Sequence, residues 1–333
     1  MAEDIEKDDS QHAEQGHWLD ELGAGAMAAM GAGVFLMSIV VMVMINQIGS
    51  AITSNAVTPM VDDIAFAVPQ DMVAVLPALP AGRSHDADTP AWLAHSEPFE
   101  ASARTPLIAV VILDDGTQSS VALRGLDDDE PLSFAVAADF GDSSYRIEQI
   151  RRAGREALAL LPFGYGADFG RDPNVLRRGL TEAELTRRLH WHLARAGEGI
   201  VGAVDQHGDD IVRDETALRV IGDGLVSSGM LMIDSRSDAD SLISARLRPM
   251  GVPVGRRTVR VGRDDDADTA FAALTDAERH AFAWGTAIVL VEAGDTAMNT
   301  VQKWLETRSE SIALAPVSHV VRRMRTGMQD ASN

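Results

Sequence analysis

Four short apolar runs end on side chains able to hold a metal or move a proton. Leu107–Leu113 runs into Asp114 and Asp115, followed by Gly116. Ile200–Val204 runs into Asp205, Gln206 and His207, Met230–Ile233 into Asp234, Ser235 and Arg236, and Thr286–Val291 into Glu292. Carboxylates and imidazole are the oxygen and nitrogen ligands of zinc and other divalent ions, and the same groups act as general bases and acids. Such a set does chemistry only if the runs are neighbouring strands that end on one side of a sheet.

The spacing of the remaining elements predicts that arrangement. Strand-like runs also occur at Leu132–Ala137 and Ala157–Leu161. Helical stretches at Ser143–Ala153, Thr181–Ala196, Asp214–Ser228, Ala239–Pro249, Thr269–Trp284 and Ala297–Ser309 alternate with the strands. In "LTEAELTRRLHWHLARA" Leu185, Leu189 and Leu193 recur every four residues, and Thr181 with Glu184 makes a capping box. Strand–helix alternation implies an α/β fold with a mostly parallel sheet, open or closed into a barrel. In such folds the site lies at the carboxyl ends of the strands.

Composition narrows the chemistry. The 333 residues contain no cysteine, which excludes disulfides, thiolate catalysis and Cys-ligated metals. The formal charge of −21 argues against a nucleic-acid partner, which needs Lys/Arg patches. Lys7 and Lys303 are the only lysines, so arginine supplies nearly all the positive charge.

The amino-terminal part is of another kind. Residues 1–21 carry Glu3, Asp4, Glu6, Asp8, Asp9, Glu14, Asp20 and Glu21 against Lys7 alone, the composition of a disordered acidic tail. No charge occurs in residues 22–48, "LGAGAMAAMGAGVFLMSIVVMVMINQI", long enough to cross a bilayer as one helix. A buried core helix is the alternative; a cleaved signal peptide fits less well, because the region before it is acidic. Gly23, Gly25, Gly31 and Gly33 would let the helix pack against another membrane helix. Residues 49–104, with Pro59, Pro69, Pro77, Pro80, Pro90 and Pro98, read as an extended linker. The alternating domain is then 105–325, with 326–333 as a tail. Charge alone leaves the topology open, since the flanks carry almost no Lys/Arg asymmetry.

The order of the segments resembles the divergent polysaccharide deacetylase family, relatives of the NodB-type carbohydrate esterases, over roughly residues 105–323. "IAVVILDDG", "LSFAVAAD", "AGREALALLPF", "GIVGAVDQHGDD", "GMLMIDSRS" and "GTAIVLVEAGDT" follow the family's strands in sequence, and "APVSHVV" its closing pattern. The resemblance implies a distorted (β/α) barrel outside the cytoplasm that holds a divalent metal, usually zinc, and removes acetyl groups from amino sugars. An aspartate would act as base and a histidine as acid.

Several positions depart from the family pattern. Leu160 stands where the third strand has a histidine, Gln206 aligns with the fourth strand's metal-binding histidine, and Glu292 replaces the last strand's histidine. Thr258 and Gly262 stand where acids are expected, while Asp114, Asp115, Asp234, Ser235 and Arg236 are kept. Two outcomes follow. In one, Asp114 and Asp115 are remnants in a cleft with Asp205, Gln206, His207, Asp234, Arg236 and Glu292. No metal is held, Asp234 and Arg236 form a structural ion pair, and the protein binds glycan or protein at the cell envelope. In the other, Asp115, His207 and Glu292 re-form a site for zinc or another divalent metal, and the protein is a deacetylase. A third possibility is an accessory subunit of a membrane complex that meets its partner through the anchor helix. All three place the chain in a bacterial inner membrane by a single pass, with its main domain periplasmic.

Other motifs carry less. His190 and His192 are two apart on a helix and face different ways, unlike an i, i+4 metal pair. "GRDDDAD" at 262–268 lacks the glycine and closing glutamate of an EF-hand, and it reads, like "LDDDEP" at 126–131, as a solvated acidic loop. No G-x-S-x-G elbow is present.

Overall fold

The structure is a computed structural model that describes residues 89–139, 141–164, 174–206, 210–235 and 240–330. The acidic tail, the apolar run 22–48, most of the linker, His207 and Arg236 lie outside the described residues. No helix among the described residues is long and apolar enough to cross a membrane.

In chain order the elements are α1 (Ala91–Ala94), β1 (Leu107–Asp114), α2 (Ser119–Ala122), β2 (Ser133–Ala137), α3 (Ser143–Arg152), β3 (Glu156–Pro162), α4 (Glu182–Ala196), β4 (Ile200–Gln206) and α5 (Glu215–Ser227). There follow β5 (Leu231–Asp234), α6 (Ile243–Leu247), β6 (Val254–Arg256), β7 (Val259–Val261), α7 (Ala267–Trp284), β8 (Thr286–Glu292), α8 (Asp295–Thr307), β9 (Ala313–Leu314) and α9 (Val317–Asp330). The sheet order is β6-β5-β4-β3-β2-β1-β8-β7, with β9 beside β1, and every ladder is parallel.

The two end strands of that order, β6 and β7, are joined by two residues. Arg257 N donates to Asp234 O of β5 (2.9 Å), whereas Thr258 N donates to Ile288 O of β8 (2.8 Å). The chain changes partner between consecutive residues, and the parallel sheet curves into a half-barrel consistent with a distorted (β/α) barrel. Strand periodicity then sorts the side chains. Leu107, Ala109, Val111 and Leu113 of β1 point inward with Leu158, Leu160, Ile233, Ile288 and Leu290. Ile108, Val110 and Ile112 point outward to the helix layer. Because β1, β3 and β4 are covered on both faces, they read as continuous apolar runs rather than alternating ones.

The amino-terminal end of the barrel is closed by α9, whose Val317, Val320 and Val321 join the interior cluster with Trp92 and Leu107. Burying each such side chain contributes about 1.5–3 kcal/mol. Glu156 fixes this plug: its buried carboxylate accepts from Ser318 N (2.9 Å), from Ser318 Oγ and from Glu97 N (3.1 Å).

Several elements differ from the sequence expectation. Ala91 and Trp92, within the proline-rich linker, are buried, and Trp92 N donates to Gly229 O (2.9 Å), so ordered packing begins before Thr105. Residues 326–330, read as tail, continue α9, since Val317, Val320, Val321 and Met324 make one apolar face at i, i+3, i+4, i+7. The helix expected over Ala239–Pro249 is α-helical only at Ile243–Leu247. It passes into a 3-10 turn at Arg248–Met250, where Pro249 has no amide hydrogen to continue the ladder. Strands β6 and β7 are three residues each, too short and too arginine-rich to stand out as apolar runs.

Candidate functional site

At the carboxyl end of the strands the two adjacent aspartates part company. Leu113 faces the interior, so Asp114 faces the helix layer and Asp115 reaches the mouth of the barrel. Asp114 is fully buried away from the mouth and pairs with the equally buried Arg146 of α3. It also accepts from Ser119 Oγ (2.8 Å) and Gly116 N (3.0 Å). The paired acids therefore do not act as a pair: Asp114 ties β1 to α3, and only Asp115 belongs to the mouth.

Asp115 is held by Arg263, which follows β7. Arg263 Nη2 lies 2.5 Å from Asp115 Oδ2, Nη1 donates to Thr117 Oγ1 (2.9 Å), and Nε donates to Ala293 O (2.9 Å). Thr117 adds its amide (3.0 Å) and hydroxyl (2.7 Å) to Asp115 Oδ1. Burial works to raise the acid's pKa, but the hydrogen bonds from Arg263 and Thr117 outweigh it and leave the carboxyl below its ordinary value. Glu292, at the end of β8, is held in the same way by Arg260 of β7. Arg260 Nε and Nη2 both donate to Glu292 Oε1 (2.8 and 2.5 Å), and Arg263 N approaches Oε2 at 3.4 Å.

Asp205 lies near the end of β4. It is buried, accepts from Ser235 N (2.7 Å) and Ser235 Oγ (2.6 Å), and so clamps the end of β5 to β4. Its pKa is pushed up to about 7, first by burial and then by the neighbouring charge of Asp234, against the two bonds from Ser235. Asp234 turns outward and accepts from Ser241 Oγ (3.1 Å) and Ser244 Oγ (3.0 Å), with Arg256 Nε at 4.0 Å. Its expected partner, Arg236, lies outside the described residues.

Asp205, Gln206, Ser235, Arg257, Arg260 and Glu292 line one cavity of about 340 Å³ floored by Leu113 and Leu290. Pockets that hold small molecules run from about 300 to 1,000 Å³. The cavity thus gathers four expected elements, β1, β4, β5 and β8, and adds the β6–β7 seam. Arg257, Arg260 and Arg263 were not singled out from the sequence. Their signal was the run "RRTVRVGR", in which the expected acids are missing at Thr258 and Gly262 while arginines recur around them.

The described residues do not fit a divalent metal. Both carboxylates of the expected ligand set, Asp115 and Glu292, are engaged by guanidinium groups, and Leu160 lies in the apolar interior. Among the described residues no three His, Asp or Glu side chains converge as metal ligands. His207, the third expected ligand, lies outside them. Elsewhere, His192 is buried with Nε2 2.9 Å from Asn174 O, and Asp266 of the "GRDDDAD" loop caps α7 by accepting from Thr269 N (2.7 Å).

The sequence model of the family described as divergent polysaccharide deacetylase matches residues 110–321. Among solved structures, the uncharacterized protein ATU2773 from Agrobacterium tumefaciens C58 is similar at 24% identity and a TM-score of 0.61, over 68% of this chain and 94% of that one. The lactam utilization protein from Thermus thermophilus is similar at 13% identity and a TM-score of 0.46, over 62% and 98%. A family 4 carbohydrate esterase from Streptomyces lividans, in complex with acetate, is similar at 11% identity and 0.37, over 63% and 91%. The similarity to the Agrobacterium protein shows the shared fold. No curated protein matches the chain.

Proposed function

The chain belongs to the divergent polysaccharide deacetylase family, and from that premise we propose that it is a catalytically degenerate member, a membrane-anchored binding module for glycan or protein at the cell envelope. The observation that carries this reading is the neutralisation of Asp115 by Arg263 and of Glu292 by Arg260. A metal would have to displace both guanidinium groups from the acids it needs, and no imidazole stands at Leu160 to repay the loss.

What remains at the mouth suits recognition rather than turnover. Arg257, Arg260, Gln206 and Ser235 present hydrogen-bonding groups around the cavity, while buried Asp205 holds Ser235 in place behind them. Such groups match the hydroxyls and amide of an amino sugar. Residues 22–48 supply the anchor, with the domain in the periplasm.

The test is zinc content of the purified full chain after incubation with zinc and desalting, beside turnover of acetylated amino-sugar oligomers. Neither retained zinc nor released acetate is expected. Stoichiometric zinc, lost in Asp115→Ala and His207→Ala, would overturn the reading in favour of a deacetylase with re-formed ligands.

A further inference from the structure

We propose that the amino-terminal end of the barrel, opposite the cavity, is a docking face for anionic lipid headgroups. Three independent features converge on that end.

The first is exposed apolar surface. Among the described residues the large hydrophobic side chains left exposed are Tyr145 (56%), Val226 (48%), Phe282 (53%) and Trp284 (76%). Helices that return to start a strand end where that strand begins, so Val226 at the end of α5 and Phe282 and Trp284 at the end of α7 lie at this end. Gly285 O, next to Trp284, accepts from Leu107 N (3.0 Å) at the start of β1. Tyr145, near the start of α3, lies toward the other end.

The second is charge. Arg104, Arg322 and Arg325 are exposed here, and none of them has a carboxylate partner among the described residues. Arg323, which donates to Thr105 O and to Ser102 O (3.1 Å), stiffens the segment that carries Arg104. Between them opens a cleft of about 720 Å³ whose walls include Phe99, Leu107, His319, Arg322 and Arg323, with Glu100 as its one carboxylate. Apolar floor and cationic rim are the two halves of a phospholipid headgroup site. Tryptophan with arginine is also the side-chain pairing that settles at a membrane interface. On a chain of net charge −21, Arg104, Arg322, Arg323 and Arg325 make a local cationic patch around α9, which an anionic surface attracts.

The third is the path of the chain. The described residues begin at Thr89, and Trp92 is buried at this end with Arg322 5.8 Å from its ring centroid. The chain therefore enters the described domain at this end. Asp127–Asp129 also lie at this end, beneath β2, and would be repelled, so the barrel should tilt with α9 and the end of α7 leading. The cavity at the other end then opens away from the bilayer.

The inference rests on the proposed anchor only for how the domain is delivered, and one experiment separates the two. The full chain is mixed with vesicles of phosphatidylcholine alone, or with phosphatidylglycerol added, carrying a lipid-phase quencher of tryptophan fluorescence. Association with both vesicle types reports the anchor. Docking predicts additional quenching on the anionic vesicles, absent in Trp284→Phe. The same quenching should weaken roughly tenfold in Arg104→Glu/Arg325→Glu or in high salt. Both arginines are exposed, so the double variant tests charge without disturbing the core. Association without charge-dependent quenching would overturn the docking face and leave the anchor. Charge-dependent association with anionic vesicles only would support the face and overturn the anchor. Quenching that is absent while a stoichiometric protein partner shields Trp284 would assign the face to that partner instead.

Discussion

Replacing Asp205 by asparagine should remove a pH dependence of stability that the native carboxyl imposes. In the folded chain burial, and then the charge of Asp234, lift this acid from 3.8 to about 7. A folded pKa above the unfolded one means stability that is fully present below pH 3.8 and lost as pH rises through 7. Between pH 5 and 7 the folded state holds a proton that the unfolded chain has already released. At 1.36 kcal/mol per pH unit those two units amount to about 2.7 kcal/mol. Asparagine keeps the shape, and its oxygen can still accept from Ser235 N, while the Ser235 hydroxyl can turn to accept from the new amide.

Glu156 contributes in the same direction, since burial lifts it from 4.5 to about 6. The informative quantity is therefore the gap between native chain and variant, from urea midpoints at pH 5 and pH 8. The gap should move in favour of Asp205→Asn by on the order of 2–3 kcal/mol from the lower pH to the higher. A gap that stays constant, with equal denaturant slopes, would mean that Asp205 is ionised throughout and that the cavity holds a charged acid.

Three further substitutions probe the frame around the site. Arg146→Met should cost about 3–5 kcal/mol in a denaturant titration, because Asp114 would remain buried without its guanidinium; adding Asp114→Asn should recover part of the loss. Gly202→Ala would place a methyl group 2.2 Å from Leu231 O, prising β4 from β5, and should lower stability by on the order of 3 kcal/mol or more, with reduced soluble yield as the simplest readout. Glu156→Gln presents an amide to donors that need acceptors and should loosen α9 by about 1–3 kcal/mol, visible as faster hydrogen exchange over residues 317–321.

The strands that carry the site were legible because their covering on both faces makes them continuous apolar runs, as at Leu107–Leu113 and Thr286–Val291. Helix α4 was legible for the opposite reason: Leu185, Leu189 and Leu193 mark one face, and Thr181 caps it by accepting from Glu184 N (3.2 Å). The seam β6–β7 was not legible, since three-residue strands carry no periodicity and the passage from one end of the sheet to the other depends on one change of hydrogen-bond partner between Arg257 and Thr258. Nor did adjacency reveal that Asp114 and Asp115 face opposite ways. That follows from the register of β1, once it is known that Leu113 points inward.

The departures from the family pattern gain meaning when they are taken together. Gly294, two residues past Glu292, has no side chain, and a Cβ there would meet Arg263 Cγ at 2.9 Å and Arg263 O at 3.0 Å. At Gly262, an expected acid position, Asp265 folds back so that its Oδ2 accepts from Gly262 N (2.6 Å). The glycine at 294 leaves room for the guanidinium on Asp115, and the one at 262 leaves room for a loop carboxylate. Acids in a half-buried mouth need a counter-charge whether or not a metal supplies it. Arg263 and Arg260 provide it from the chain's own seam, as the ion-pair partners of Asp115 and Glu292. The mouth is on this reading a repacked site and not a depleted one, and restoring a single imidazole at Leu160 would leave both arginines in place.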